Sequence, residues 1–250
     1  MHITDDGIVI KNVDFKDTDK YVYILTANHG KLKALAPGSR GRGSKLLAAT
    51  QLFSYGSFTF FEGRGYLKID SAETKEQFFE LSKEITALSL ASYFMELLDL
   101  TGDSDVPTAD ILRLSLNALY ALSKLKIPEK IIKPAFELRL LALSGFEPAI
   151  SHCGICKKEP ETPFLNLQNG ILHCGGCRGS IPRGLSLPLP QGTLYAMRYI
   201  LSADLKRIFS FSLDGEPLDR LNEVCEAFAL AQLEHEFRTL SYYKSFNLGV

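Results

Sequence analysis

The chain has 250 residues, 46% of them hydrophobic, and a formal net charge of −1, so it reads as a globular protein with a substantial core in one large domain or two smaller ones. The start Met1-His2-Ile3-Thr4-Asp5-Asp6 lacks the basic and apolar stretch of a secretory leader, and no apolar run is long enough to span a bilayer. The expected compartment is the cytoplasm, with no membrane partner, where five cysteines point to metal before disulfides.

Five short β-branched or aromatic runs occupy the first 72 residues: Gly7 to Ile10, Tyr21 to Leu25, Leu32 to Ala36, Phe53 to Phe61 and Tyr66 to Ile69. Five strands in that length predict a small barrel. The OB-fold is the commonest solution of this kind, and composition does not separate it from an SH3-like barrel. From about Glu73 the apolar period turns helical, through Phe78, Leu81, Ile85, Leu88, Phe94 and Leu98, to a break at Thr101-Gly102-Asp103. A second helix buries Ile111, Leu112, Leu119 and Leu122, with Thr108 in the N-cap position. A third runs from Glu129 to Leu143, with Pro134 inside it and Gly145 as a left-handed stop. Residues 150–183 lose that period and carry four of the five cysteines, which marks an inserted module. Helical patterning returns over Gly192 to Leu201 and over Pro217 to Leu240, the latter as one long amphipathic helix. The predicted fold is α+β: an N-terminal OB-fold β-barrel at 1–72, then an α-helical bundle domain at 73–250 with a four-cysteine zinc-ribbon-like insertion at 150–183.

Within that insertion, Cys153-Gly154-Ile155-Cys156 and Cys174-Gly175-Gly176-Cys177 are two pairs with two intervening residues each, seventeen residues apart. The spacing fits a four-cysteine zinc site: a tight turn aims two thiolates at one ion, glycines let backbone N–H groups approach the sulfurs, and the loop returns the second pair. Four thiolates fill the coordination shell, so one structural zinc ion is expected rather than a catalytic one. His152 and His173 each precede a cysteine and are read as bystanders. Cys225 on the last helix is read as a small buried hydrophobe.

Charge is distributed unevenly. No acidic residue lies between Asp19 and Glu62, a stretch that holds Lys20, Lys31, Lys33, Arg40, Arg42 and Lys45. Lys31 and Lys33 point to one face of a strand because the side-chain period is two. The loop Pro37-Gly38-Ser39-Arg40-Gly41-Arg42-Gly43-Ser44-Lys45 can follow a phosphate backbone while its cations release counterions. An ordinary solvated basic face is the alternative. The neighbouring aromatics Phe53, Tyr55, Phe58, Phe60 and Phe61 are candidates to stack on bases, about half of them being needed to fill the barrel.

Catalytic patterns are scarce. The loop lacks the Gly-Lys-Ser/Thr triplet of a P-loop, and His235-Glu236-Phe237-Arg238-Thr239 has Thr where a zincin helix requires its second His. Asp5, Asp6, Asp14, Asp17 and Asp19 could bind magnesium, but a solvated acidic edge is the simpler reading. The expectation is a protein that is not an enzyme and takes no small-molecule substrate.

The succession Gly7-Ile8-Val9, Asp17-Thr18-Asp19, Leu25-Thr26, His29-Gly30-Lys31, Gly38-Ser39-Arg40, Ser44-Lys45 and Gln51-Leu52-Phe53 resembles, in order and spacing, the opening of the RecO family of recombination mediators in DNA repair. Phe136-Glu137-Leu138-Arg139 through Phe146 into Cys153, and Leu240 to Ser245, resemble that family's later segments. The resemblance implies an OB-fold, a helical domain and a zinc-ribbon-like insertion. It further implies binding of single- and double-stranded DNA, annealing of complementary strands, cooperation with RecR, contact with the acidic C-terminal tail of single-strand-binding protein, and indirect help to RecA, all at the nucleoid. Carried over, the DNA contacts are Lys31, Lys33, Arg40, Arg42 and Lys45. Some members place arginines just before Phe-Glu-Leu for the tail; this chain has Pro134-Ala135 there, so Lys130, Lys133 and Arg139 are the nearest candidates. Two other readings stand beside the mediator: a metal-dependent nuclease using the N-terminal aspartates, and a zinc-ribbon adaptor that holds a protein partner.

Overall fold

The computed structural model describes residues 2–63, 65–102, 106–125, 127–181 and 184–247. Asp103 of the expected helix break and Arg183 at the expected end of the insertion lie outside the described residues. The strands are β1 (His2–Phe15), β2 (Asp19–Thr26), β3 (Lys31–Ala36), β4 (Tyr55–Gly63), β5 (Tyr66–Glu76), β6 (Pro163–Asn166), β7 (Ile171–Cys174) and β8 (Ser186–Pro188). The α-helices are α1 (Ile85–Thr101), α2 (Ala109–Tyr120), α3 (Glu129–Leu143), α4 (Gln191–Ser202), α5 (Gly215–Leu233) and α6 (Arg238–Asn247). They divide into two compact units, Met1–Ser123 with Arg238–Val250, and Lys124–Phe237.

In the first unit β1 pairs with both β2 and β4, and β3 runs parallel to β5, closing a barrel in the order β1-β2-β3-β5-β4. This is OB-fold connectivity, which decides between the two barrels that composition left open. The period of two selects the core: Leu32, Ala34 and Ala36 of β3 are buried while Lys31, Lys33 and Leu35 face outward. Phe58 and Phe60 fill the interior with their rings 6.1 Å apart. Leu46 and Ala49, from the connection between β3 and β4, pack against the same core.

Strand β1 carries an irregularity that decides where Lys11 points. Val9 pairs with Ile24 and Lys11 with Tyr23, so Ile10 is an extra residue. An unbroken ladder would have placed Lys11 opposite the buried Val22; the bulge turns it out to the surface.

The helical period expected from Glu73 is overridden by pairing. Strand β5 continues to Glu76 because its ladder with β4 continues, a short 3-10 turn covers Phe79–Lys83, and α1 begins only at Ile85. Where the ladder shifts, Gly56 lies so close to β5 that a Cβ would stand 2.3 Å from the Glu73 carbonyl oxygen.

Thr108 does not cap α2 with its side chain. Its hydroxyl donates to the Thr26 carbonyl at 2.5 Å and its N–H to that of Ala27 at 3.0 Å, so it ties the start of α2 to the end of β2. Helix α6 packs on α1, and Glu96 of α1 accepts the N–H and the hydroxyl of Thr239 at the α6 N-terminus, where a carboxylate is favoured by the helix dipole.

The second unit packs α3, α4 and α5 together. Pro134 sits inside α3 and has no N–H for the Lys130 carbonyl, which instead accepts the Asn222 side-chain amide of α5 at 2.8 Å. The helix ends as the sequence indicates, with Gly145 at φ +90°. The cysteine module contains the three-stranded sheet β7-β6-β8. The single helix expected over Pro217 to Leu240 is two: α5 stops at Leu233, Glu234 turns left-handed at φ 48°, and α6 belongs to the first unit. The helices read as one bundle are thus divided, α1, α2 and α6 in the first unit and α3, α4 and α5 in the second.

Candidate metal centre and nucleic-acid face

Cys153 and Cys156 flank a turn, Cys174 ends β7, and Cys177 lies in the 3-10 turn Gly175–Ser180 that follows. Their four Sγ atoms lie within 4.8 Å of one another, with Cys153 to Cys174 at 4.0 Å and Cys156 to Cys174 at 3.9 Å. Tetrahedral thiolates at about 2.3 Å from zinc would stand about 3.8 Å apart. All five cysteines are free thiols. Gly154 presses the first turn onto β7: its N–H donates to the Leu172 carbonyl at 2.7 Å, and a Cβ there would meet Ile171 Cγ2 at 2.3 Å. Burial alone would raise the Cys153 thiol, but the backbone N–H groups of Cys156, Cys174 and Ile155 outweigh it and hold it at about 6. Hydrogen bonding to Cys174, burial, and the other thiols push Cys177 up to about 12. Such a thiol cluster, with amides already aimed at one sulfur, fits a bound cation, and four protein donors leave no position open for water. His173 is not a ligand candidate by geometry. It is buried, stacks on Phe164 at 5.4 Å, and bonds Ser186 at 3.0 Å, linking β6, β7 and β8. Burial pushes the Cys225 thiol well up, as expected of a core residue.

On the barrel, the register of β1, β2 and β3 sets Lys11, Tyr23 and Lys33 side by side. The Lys11 ammonium lies 5.1 Å from the Tyr23 ring, and that of Lys33 lies 4.8 Å from Tyr21 and 5.6 Å from Tyr23. Phe15 continues the aromatic row, 4.7 Å from Tyr21. Beside it is a cleft of about 430 Å³ lined by Tyr21, Lys33, Glu62, Gly65, Tyr66 and Leu67. This is the β2–β3 face and β4–β5 turn on which OB-folds take oligonucleotides.

Of the five cations named from sequence, Lys33 stands on this face. Lys31 is held by Asp99 of α1. Arg40 is tied to the β1–β2 turn: its guanidinium donates to the Lys16 carbonyl at 3.1 Å and pairs with Asp14 at 3.4 Å, while the Gly38 N–H bonds Asp19 at 2.8 Å. Arg42 and Lys45 are exposed on the connection that follows. Sequence reasoning missed Lys11, Tyr21 and Tyr23, because a one-residue bulge decides where Lys11 points. It favoured Phe53 and the aromatics of β4, of which Phe53, Phe58 and Phe60 are buried, Tyr55 is half-buried and Phe61 is exposed.

The N-terminal aspartates do not gather. Asp5 is buried and accepts from Asn28 N–H at 2.9 Å, Asn28 Nδ2 at 2.8 Å and His29 Nδ1 at 2.7 Å. Asp6 pairs with Lys75 at 2.6 Å. Among the described residues, the group close enough to hold a metal is the four cysteines.

Lys130, Lys133 and Arg139 are not brought together in one pocket. Lys133 is buried between Glu137 and Glu226, 2.9 Å from each, and Arg139 donates to the carbonyls of Ile200, Leu201 and Ala203 at the end of α4. Lys130 is exposed and pairs with Asp219 at 3.1 Å.

The family model described as recombination protein O N terminal matches residues 1–78, and recombination protein O C terminal matches residues 82–241. The chain belongs to the RecO family. It is 31% identical over 247 residues to a protein of Acetivibrio thermocellus named DNA repair protein RecO, covering 98% of this chain and 97% of that one. Proteins of the same name from Symbiobacterium thermophilum and Alkaliphilus metalliredigens are 32% and 29% identical, over 95% and 98% of this chain and 94% and 99% of their own. The N-terminal RecO region contains the whole barrel, and the C-terminal one contains all four cysteines. Among the described residues no helix is long and apolar enough to cross a membrane.

Proposed function

We propose that this RecO protein is a recombination mediator in DNA repair, working without catalytic turnover in the cytoplasm at the nucleoid. The barrel, whose strands run from His2 to Glu76, binds single- and double-stranded DNA and anneals complementary strands. With RecR, the protein helps RecA replace single-strand-binding protein, whose acidic tail it contacts; Lys130 is the exposed cation of the three considered for that contact. The observation that carries this reading is the row Lys11, Tyr23, Lys33, with Lys33 also over Tyr21. Ammonium groups there neutralise phosphates, and tyrosine rings offer stacking to unpaired bases. Lys33, Arg42 and Lys45 are the phosphate contacts expected first, with Arg40 and Lys31 at the edge. Cys153, Cys156, Cys174 and Cys177 hold one zinc ion, which orders the insertion rather than reacting.

The test is annealing of complementary strands, bare or coated with single-strand-binding protein, across a salt series. Annealing should weaken steeply with salt and leave both strands intact. Lys33→Ala should weaken binding about tenfold on all sequences and flatten the salt slope by about 1. Lys33→Ala and Arg42→Ala variants that bind like the parent would remove the barrel face from the mechanism, and magnesium-dependent strand cleavage would favour a nuclease.

A further inference from the structure

One carboxylate holds two cations at the edge of the barrel face. Lys11 Nζ donates to Asp99 Oδ2 at 2.8 Å, and Lys31 Nζ donates to Asp99 Oδ1 at 3.3 Å and to the Asp99 main-chain carbonyl. Asp99 lies in the last turn of α1, whose C-cap Gly102 is hard against the strands: a Cβ on Gly102 would be 3.3 Å from Lys31 Cβ and 3.6 Å from Leu25 Cδ1. The helix end therefore presents both a carboxylate and its negative pole to these ammonium groups. Glu96, one turn earlier, is engaged with Thr239, and Tyr23 lies under Lys11.

Two oxygens on one centre, each taking one ammonium, is also what the two non-bridging oxygens of a phosphodiester offer. Lys11 remains about half exposed, 48% against 24% for Asp99, so an incoming anion reaches this pair from the Lys11 side.

We propose that Asp99 is a built-in phosphate surrogate that occupies Lys11 and Lys31 in the DNA-free protein and must be displaced by a backbone phosphate, so that it sets the affinity and salt dependence of DNA binding. The inference rests on the barrel face being the DNA site. Displacement leaves the Asp99 carboxylate beside the arriving phosphate, and that repulsion makes binding weaker and more readily reversed, as a protein that passes strands on requires.

The test uses the full-length protein and a fluorescein-labelled oligothymidylate, with affinity measured across a salt series. Asp99→Asn should bind about tenfold tighter at low salt, with the log–log salt slope steeper by about 1, because no displaced carboxylate then takes up a cation to offset the counterions released from the DNA. Replacing Lys11 and Lys31 together by Ala should abolish that gain in the Asp99→Asn background, and should weaken the parent as well, since it removes the two phosphate contacts and leaves the Asp99 carboxylate unpaired. Asp99→Ser gives the same readout should Asn disturb the helix end. If both Asp99 variants retain cooperative thermal unfolding yet bind no tighter than the parent, Asp99 merely holds the lysines in place and the surrogate is wrong. Lys33→Ala separates the two ideas: if it weakens binding while Asp99→Asn fails to tighten it, only the surrogate falls, and if it changes nothing the face and the surrogate fall together.

Discussion

Lys133 shows how a residue that reads as a ligand from sequence becomes part of the core. Its ammonium is buried between the Glu137 and Glu226 carboxylates, and their attraction outweighs the burial that would lower it, so it stays charged. Lys133→Met is expected to cost about 3–5 kcal/mol, because it leaves two carboxylates facing each other without their cation. Urea unfolding of the second unit measures this, and a loss under about 1 kcal/mol would mean that the triad is poorly coupled to stability. Asp5 makes the complementary case in the barrel. Burial raises its carboxyl, but the bonds from His29 and Asn28 outweigh that and hold it below the ordinary 3.8. A depressed folded-state value adds stability that is complete above the unfolded value and is lost as pH falls through the folded one. Thermal unfolding should therefore show an acid limb below about pH 4 that flattens in Asp5→Asn.

At the scale of elements, the cysteine module buries Leu165, Leu167 and Leu172 at its sheet, but the 3-10 turn Gly175–Ser180 that carries Cys177 buries no residue, so a metal on the closed donor set is expected to order that end. Chelation should release about one zinc per chain and lower the melting temperature of the second unit, leaving the barrel's transition in place; a protein with no zinc and no such shift refutes the assignment. This centre was legible in sequence because two Cys-x-x-Cys pairs specify geometry through local spacing alone. Helix α3 was legible for a like reason, its ends being marked by Glu129 and Gly145. The barrel's strands were found but cut short, since β5 beyond Ile69 is held by pairing with β4, which no local period reports. The face proposed for nucleic acid was only half visible. Lys33 follows from alternation on β3, whereas Lys11 depends on the bulge at Ile10, and Tyr21 and Tyr23 gain meaning only when three strands are laid in register. Helix α6 was hidden because apolar residues recur across Glu234, and only its left-handed backbone breaks the helix.

The whole molecule interleaves its two units along the chain. Residues 124–237 form the second as one continuous stretch, while the first is made of the segments on either side. Helix α6 supplies Leu240 and Tyr243 to the core and is capped by Glu96, in the same helix that carries Asp99. During synthesis a ribosome delivers the barrel first, and α6, which packs on α1, only after residues 124–237 have been made. The first unit thus stays unfinished until residue 238 and beyond are made, and a message cut short before that point would leave α1 without the helix that packs on it.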